Sequence, residues 1–102
     1  MLAFCAAHDI VVVGYAPLGG LKSRRDERIL MADHPALLTL ALARGVSVQA
    51  ACLAALLHRG AALGARVLLI PGARTAAHAA DSCAAAKLRL TDAEARAALP
   101  PI

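Results

Sequence analysis

Two short apolar runs constrain this chain more than any other feature in it. Ile10-Val11-Val12-Val13-Gly14-Tyr15-Ala16 and Val67-Leu68-Leu69-Ile70 are continuous, uncharged and rich in branched side chains. That is the pattern of strands buried on both faces of a parallel sheet, where no alternation of polar residues is needed. Pro17-Leu18-Gly19-Gly20 breaks the first run and Pro71-Gly72 the second. Strands separated by helical crossovers imply a parallel α/β arrangement. Two strands do not complete such a sheet, because both outer edges stay bare. The chain is therefore expected to be part of a larger α/β unit.

The helices follow from start and stop signals. Residues 2–8 read as the tail of a helix whose beginning is missing, since no N-cap precedes Leu2. Asp33 or His34 caps the next helix, with Pro35 in its first turn, where a missing N–H does no harm. Leu37, Leu38, Leu40 and Leu42 supply its apolar side, and Gly45 ends it. Ser47 caps a helix running to about His58, with Ala50, Ala51, Leu53, Ala54 and Leu57 inward and a connector over 60–66. Thr75 caps a helix over 76–86. Thr91-Asp92-Ala93-Glu94 has the capping-box pattern and opens a last helix, which Pro100 and Pro101 close.

Composition matters here for what it excludes. The chain is 60% hydrophobic but only 2% aromatic, and much of the apolar count is alanine, a good helix former that adds little core volume. Thin-cored helices of this kind need something larger to pack on. The most apolar stretch, 35–57, is interrupted by Arg44, Gly45 and Gln49, so no run reaches the roughly 18–20 residues of a membrane span. The first nine residues lack a basic start and meet Asp9 too early for a signal sequence. Cys5, Cys52 and Cys83 have no metal-ligand spacing, and reduced, buried thiols of a cytoplasmic protein are expected. The net charge of +4 is mild, and the basic run 22–28 contains two acids and no aromatic, which argues against nucleic acid.

Six segments in order carry a family resemblance. Phe4-Cys5 with Ile10, then Gly14-Tyr15-Ala16-Pro17-Leu18-Gly19, then Arg28-Ile29-Leu30 through His34-Pro35, resemble successive stretches of aldo-keto reductases. Residues 41–53, with Gly45, Ser47, Gln49 and Leu53, and Ile70-Pro71-Gly72-Ala73-Arg74 continue the match, and 88–93 resembles the opening of that family's last helix. The resemblance implies an α/β fold: a partial eight-stranded (β/α)8 TIM barrel, with the two runs as strands seven and eight and 1–102 as the C-terminal part of an NADP-dependent oxidoreductase domain. A whole barrel of this kind takes about 250 residues.

The resemblance also implies a cofactor, NADP(H), with NAD(H) possible. Tyr15 would lay its ring against the nicotinamide. Ala16, Leu18 and Gly19 would bring backbone close to the pyrophosphate. Pro71, Gly72, Ala73 and Arg74 match the eighth-strand phosphate loop, with Gly72 and Ala73 where the family commonly has lysine and serine. Arg74 would supply the missing cation. His78 stands where a phosphate-binding arginine is usual, and Asp81 and Ser82 where a Glu-Asn pair holds the adenine. No residue matches the family's tyrosine, lysine, aspartate and histidine, which reduce the carbonyl, so no catalytic residue is assigned. The expected function is the NADPH-binding portion of a carbonyl reductase, inactive by itself. A non-catalytic fragment acting as a binding or self-associating module is the alternative. An unrelated helical or membrane-surface domain is disfavoured by the two strand runs.

Overall fold

The computed structural model describes residues 1–15 and 34–99. Two strands, β1 (Val12–Tyr15) and β2 (Val67–Ile70), pair in parallel with Val12 opposite Val67 and Tyr15 opposite Ile70. Five helices accompany them among the described residues: α1 (Leu2–Ala7), α2 (Pro35–Arg44), α3 (Val48–Ala62), α4 (Ala76–Ala85) and α5 (Asp92–Ala98). The parallel pairing and the helical crossover agree with the α/β expectation. The loop over 21–33, Asp33, Pro100 and Pro101 lie outside the described residues.

Local signals place most of the helix ends. Gly45 terminates α2 in the left-handed conformation (φ 66°), a region that costs a side chain but not glycine. His34 precedes α2 without a side-chain cap, so Pro35 at the first turn starts the helix instead. The Ser47 hydroxyl accepts from the Ala50 N–H at 2.9 Å, and Thr75 Oγ1 accepts from His78 N–H at 3.1 Å. Thr91 and Glu94 form the reciprocal capping box at 2.9 and 3.1 Å. α3 runs on to Ala62, four residues past the expected end, so Gly60 is helical and not part of a connector.

The core sits around α3, which packs against α2, α4, α5 and β2. It buries Val48, Ala50 through Ala55 and Gly60. On α2 the inward stripe is Leu37, Leu40 and Ala41, while Leu38 and Leu42 are exposed. The expectation that all four leucines face inward is corrected by helical geometry: 37, 40 and 41 share one face, and 42 lies off it. Leu57 is half-buried. Alanine dominates the buried set, and Leu37 is the bulkiest side chain shut off completely. α2 and α3 meet at a 99° bend, and no single helix among the described residues is long and apolar enough to cross a membrane.

One face of the sheet carries Val67 and Leu69 toward α3, with Gly14 closing on Leu69. The opposite face is open. Val13, Leu68 and Ile70 are 53%, 60% and 52% exposed. The strands are therefore not buried on both faces as their composition predicts; the half-buried Val67 and Leu69 belong to the strand that packs on α3.

Electrostatic ties link the ends of the helices. Arg44 Nη1 donates to both carboxylate oxygens of Glu94 at 3.0 and 3.1 Å, and its Nη2 to the Arg89 carbonyl at 2.7 Å. The Thr91 backbone N–H, followed by the Arg44 guanidinium, holds the Glu94 carboxyl below its ordinary range. Asp9, at φ 55°, pairs with Arg66 and closes the turn from α1 into the sheet.

Cys5 and Cys52 are buried, but Cys83 is exposed on α4, which corrects the expectation of three buried thiols. Burial pushes the Cys52 thiol from the ordinary 9.0 up to about 11. The folded chain then keeps this proton where the unfolded chain has lost it. Stability is full below about pH 9 and falls as pH rises toward 11, by up to about 3 kcal/mol at 1.36 kcal/mol per unit. Thermal melts at pH 7 and pH 10.5 check this: a Cys52→Ala chain is expected to lose less stability between the two than the parent. A parent loss no greater than the variant's would contradict it. In the native chain iodoacetamide is expected to modify Cys83 first.

Candidate functional site

Parallel pairing sends both strands out of the sheet at the same end. Tyr15 stands opposite Ile70, so the two strands end side by side. Pro71 is half-buried; Gly72, Ala73 and Arg74 are exposed as the chain crosses to α4. A Cβ on Gly72 would meet nothing within 4 Å, so packing does not demand glycine there.

The N-terminus of α4 is arranged to receive an anion. Thr75 satisfies one N–H, that of His78, and no acidic residue occupies the first turn. The remaining free N–H groups of that turn present partial positive charge. Arg74 immediately precedes the cap, and His78 lies exposed in the first turn. Arg74 makes no hydrogen bond or ion pair with the described residues that would neutralise it. A guanidinium, an imidazole and a helix N-terminus together form a donor set suited to phosphate.

The remaining expected residues divide into two groups. Ala16, Leu18 and Gly19 lie outside the described residues; Tyr15 is placed by its backbone alone, as the last residue of β1. Asp81 and Ser82 are half-buried further along α4. Asp81 Oδ2 accepts from the Ser47 hydroxyl at 2.7 Å, so this carboxylate turns to the N-cap of α3. Ser47 was legible as a cap, but nothing in the spacing of the two residues announced this second bond. It ties α4 to α3 and fixes the direction in which the N-terminus of α4 points.

Comparison with known proteins fits this arrangement. No curated protein and no solved structure matches the chain. The model of the aldo/keto reductase family matches residues 1–98, a span that takes in both strands, the crossover helices and the anion-suited loop. A match over nearly all of its length shows that the chain belongs to the aldo/keto reductase family.

Proposed function

We propose that the chain is the cofactor-holding C-terminal part of an aldo/keto reductase barrel, with β1 and β2 as its seventh and eighth strands. The observation that carries this reading is the Tyr15–Ile70 pairing, which ends both strands at the side of the sheet from which the chain crosses to α4. In α/β barrels a phosphate site is commonly built from the loops after these two strands. Tyr15, Ala16, Leu18 and Gly19 would line the nicotinamide and pyrophosphate side. Pro71, Gly72, Ala73, Arg74 and His78 would hold the adenosine phosphate. Asp81 is a helix tie first, and Ser82 follows it on α4. The cofactor supplies hydride to a carbonyl carbon in this family. The 102 residues offer no match to the proton-donating tyrosine and its partners, so this chain binds NADPH without reducing a carbonyl itself.

Titration of the chain with NADPH, followed by fluorescence and calorimetry, tests the reading. Saturable binding is expected, weakened about tenfold by Arg74→Ala, as for the loss of one charge-assisted phosphate contact of about 1.4 kcal/mol. NADH is expected to be less sensitive to that substitution, since it lacks the 2′-phosphate. A chain with a native circular dichroism spectrum and no NADPH binding would sink the proposal.

The open sheet face favours a second reading, a binding or self-associating module. Exposed Val13, Leu68 and Ile70 form an apolar surface beside unpaired strand edges. Mass that rises with concentration, in a chain that ignores NADPH, would favour this reading over the first.

A further inference from the structure

α5 is tied to α2 and α3 by polar side chains as well as by burial. It buries Ala95 and Ala98, with Leu99 just beyond its end, whereas α3 buries eight of its residues in the common core. Two methyl groups and one leucine supply little apolar stabilisation. A seven-residue helix has almost none of its own once undocked.

What fixes α5 is a row of cationic or imidazole donors reaching from α2 and α3. Arg44, the last residue of α2, holds the Glu94 carboxylate and the Arg89 carbonyl. His58 Nε2 lies 2.7 Å from Asp92 Oδ1, and Arg59 Nη2 donates to the Leu99 carbonyl at 3.0 Å. These side chains are not sealed from water: Arg44 and Glu94 are 30% and 27% exposed, and Asp92 is 72% exposed. Glu94 also closes the capping box, so one carboxylate both starts the helix and docks it. Beside these ties α3 and α5 leave an open space along part of their contact. A groove of about 520 Å³ runs between them, lined by His58, Arg59, Ala62, Leu63, Ala95 and Leu99.

Two kinds of free energy therefore hold two parts of the molecule. Burial around α3 is insensitive to ionic strength, whereas half-exposed ion pairs are screened by it. We propose that α5 is an electrostatic latch: raising ionic strength frees and melts it and opens the groove it shares with α3, while α3 and the core packed on it stay folded.

Hydrogen exchange read by mass spectrometry on the full chain tests the latch. Peptides covering 90–99 and 48–62 are compared at pH 7 in about 20 mM and about 500 mM NaCl, a range over which the screening length falls severalfold. Exchange over 91–99 is expected to quicken about fivefold in high salt, with 48–62 unchanged. Arg44→Leu is expected to raise exchange over 91–99 already in low salt and to remove most of the salt response. Three results would overturn the proposal. α5 and α3 could exchange together at either salt concentration, Arg44→Leu could loosen both in parallel, or 91–99 could be unprotected even in low salt.

Discussion

Leu37→Ala is expected to cost the chain about 3 kcal/mol or more of unfolding free energy, while Leu42→Ala on the same helix costs less than about 0.5 kcal/mol. The two substitutions delete the same atoms from the same element, so helix propensity cancels between them. Leu37 is wholly shut off from solvent, and Leu42 is 74% exposed. In a core made largely of alanine, Leu37 is, among the described residues, the one bulky side chain shut off completely from water, in the cluster with Leu40, Leu53 and Leu99. Half of that cluster is alanine, whose methyl groups cannot extend into the hole, so much of the cavity persists and its penalty is felt. A domain of this size has a total stability of only about 5–15 kcal/mol. A loss of about 3 kcal/mol corresponds to a fall in Tm of roughly 12–24 °C. Urea melts of both variants measure it directly. Equal losses would mean that α2 does not dock through the 37–40–41 stripe.

Gly60→Ala is expected to destabilise the chain by about 2 kcal/mol, against the usual sign for such a change in a helix. In an exposed helix, alanine for glycine is favourable by about 0.8–1 kcal/mol. Here a Cβ at position 60 would fall well inside van der Waals contact distance of Val67 Cγ2 and 3.1 Å from Val67 Cβ. Valine is stiff at χ1, and the Val67 backbone is held opposite Val12 in the parallel ladder. The overlap must be relieved by moving α3 and β2 apart. Since α3 is the helix on which the other contacts converge, that separation loosens the core as a whole. Val67→Ala in the same chain removes the obstructing methyl groups, and the pair is expected to show a coupling of about 1–3 kcal/mol in favour of the double variant. Additive losses would place the cost of the alanine elsewhere than in this contact.

The same positions mark where reading the sequence ended. Ser47, Thr75 and Thr91–Glu94 were legible as caps because each signal is local: a hydroxyl or carboxylate meets an N–H three residues away. Gly45 was legible because its left-handed turn is a property of the residue. Gly60 was misplaced because its reason lies seven residues downstream, in Val67, across a gap that only folding closes. The exposed Cys83 and the outward Leu42 were misread for a related reason, since a residue's type states what it tolerates and not what stands beside it.

The candidate site divides in the same way. The run Ile70-Pro71-Gly72-Ala73-Arg74, the cap at Thr75 and the absence of acids after it are consecutive residues, so an anion-suited loop could be read directly from them. That Asp81 turns to Ser47, 34 residues away, could not. By itself the sequence determined the element order, the parallel α/β class, the caps at Ser47, Thr75 and Thr91 and the family, all properties carried by short stretches or by their succession. Only the tertiary structure decided which face of each element is buried, which glycine is obligatory, and that Arg44 meets Glu94 fifty residues on. Burial and electrostatic pairing depend on distances between residues far apart in the chain, and those distances exist only once the helices have packed around α3.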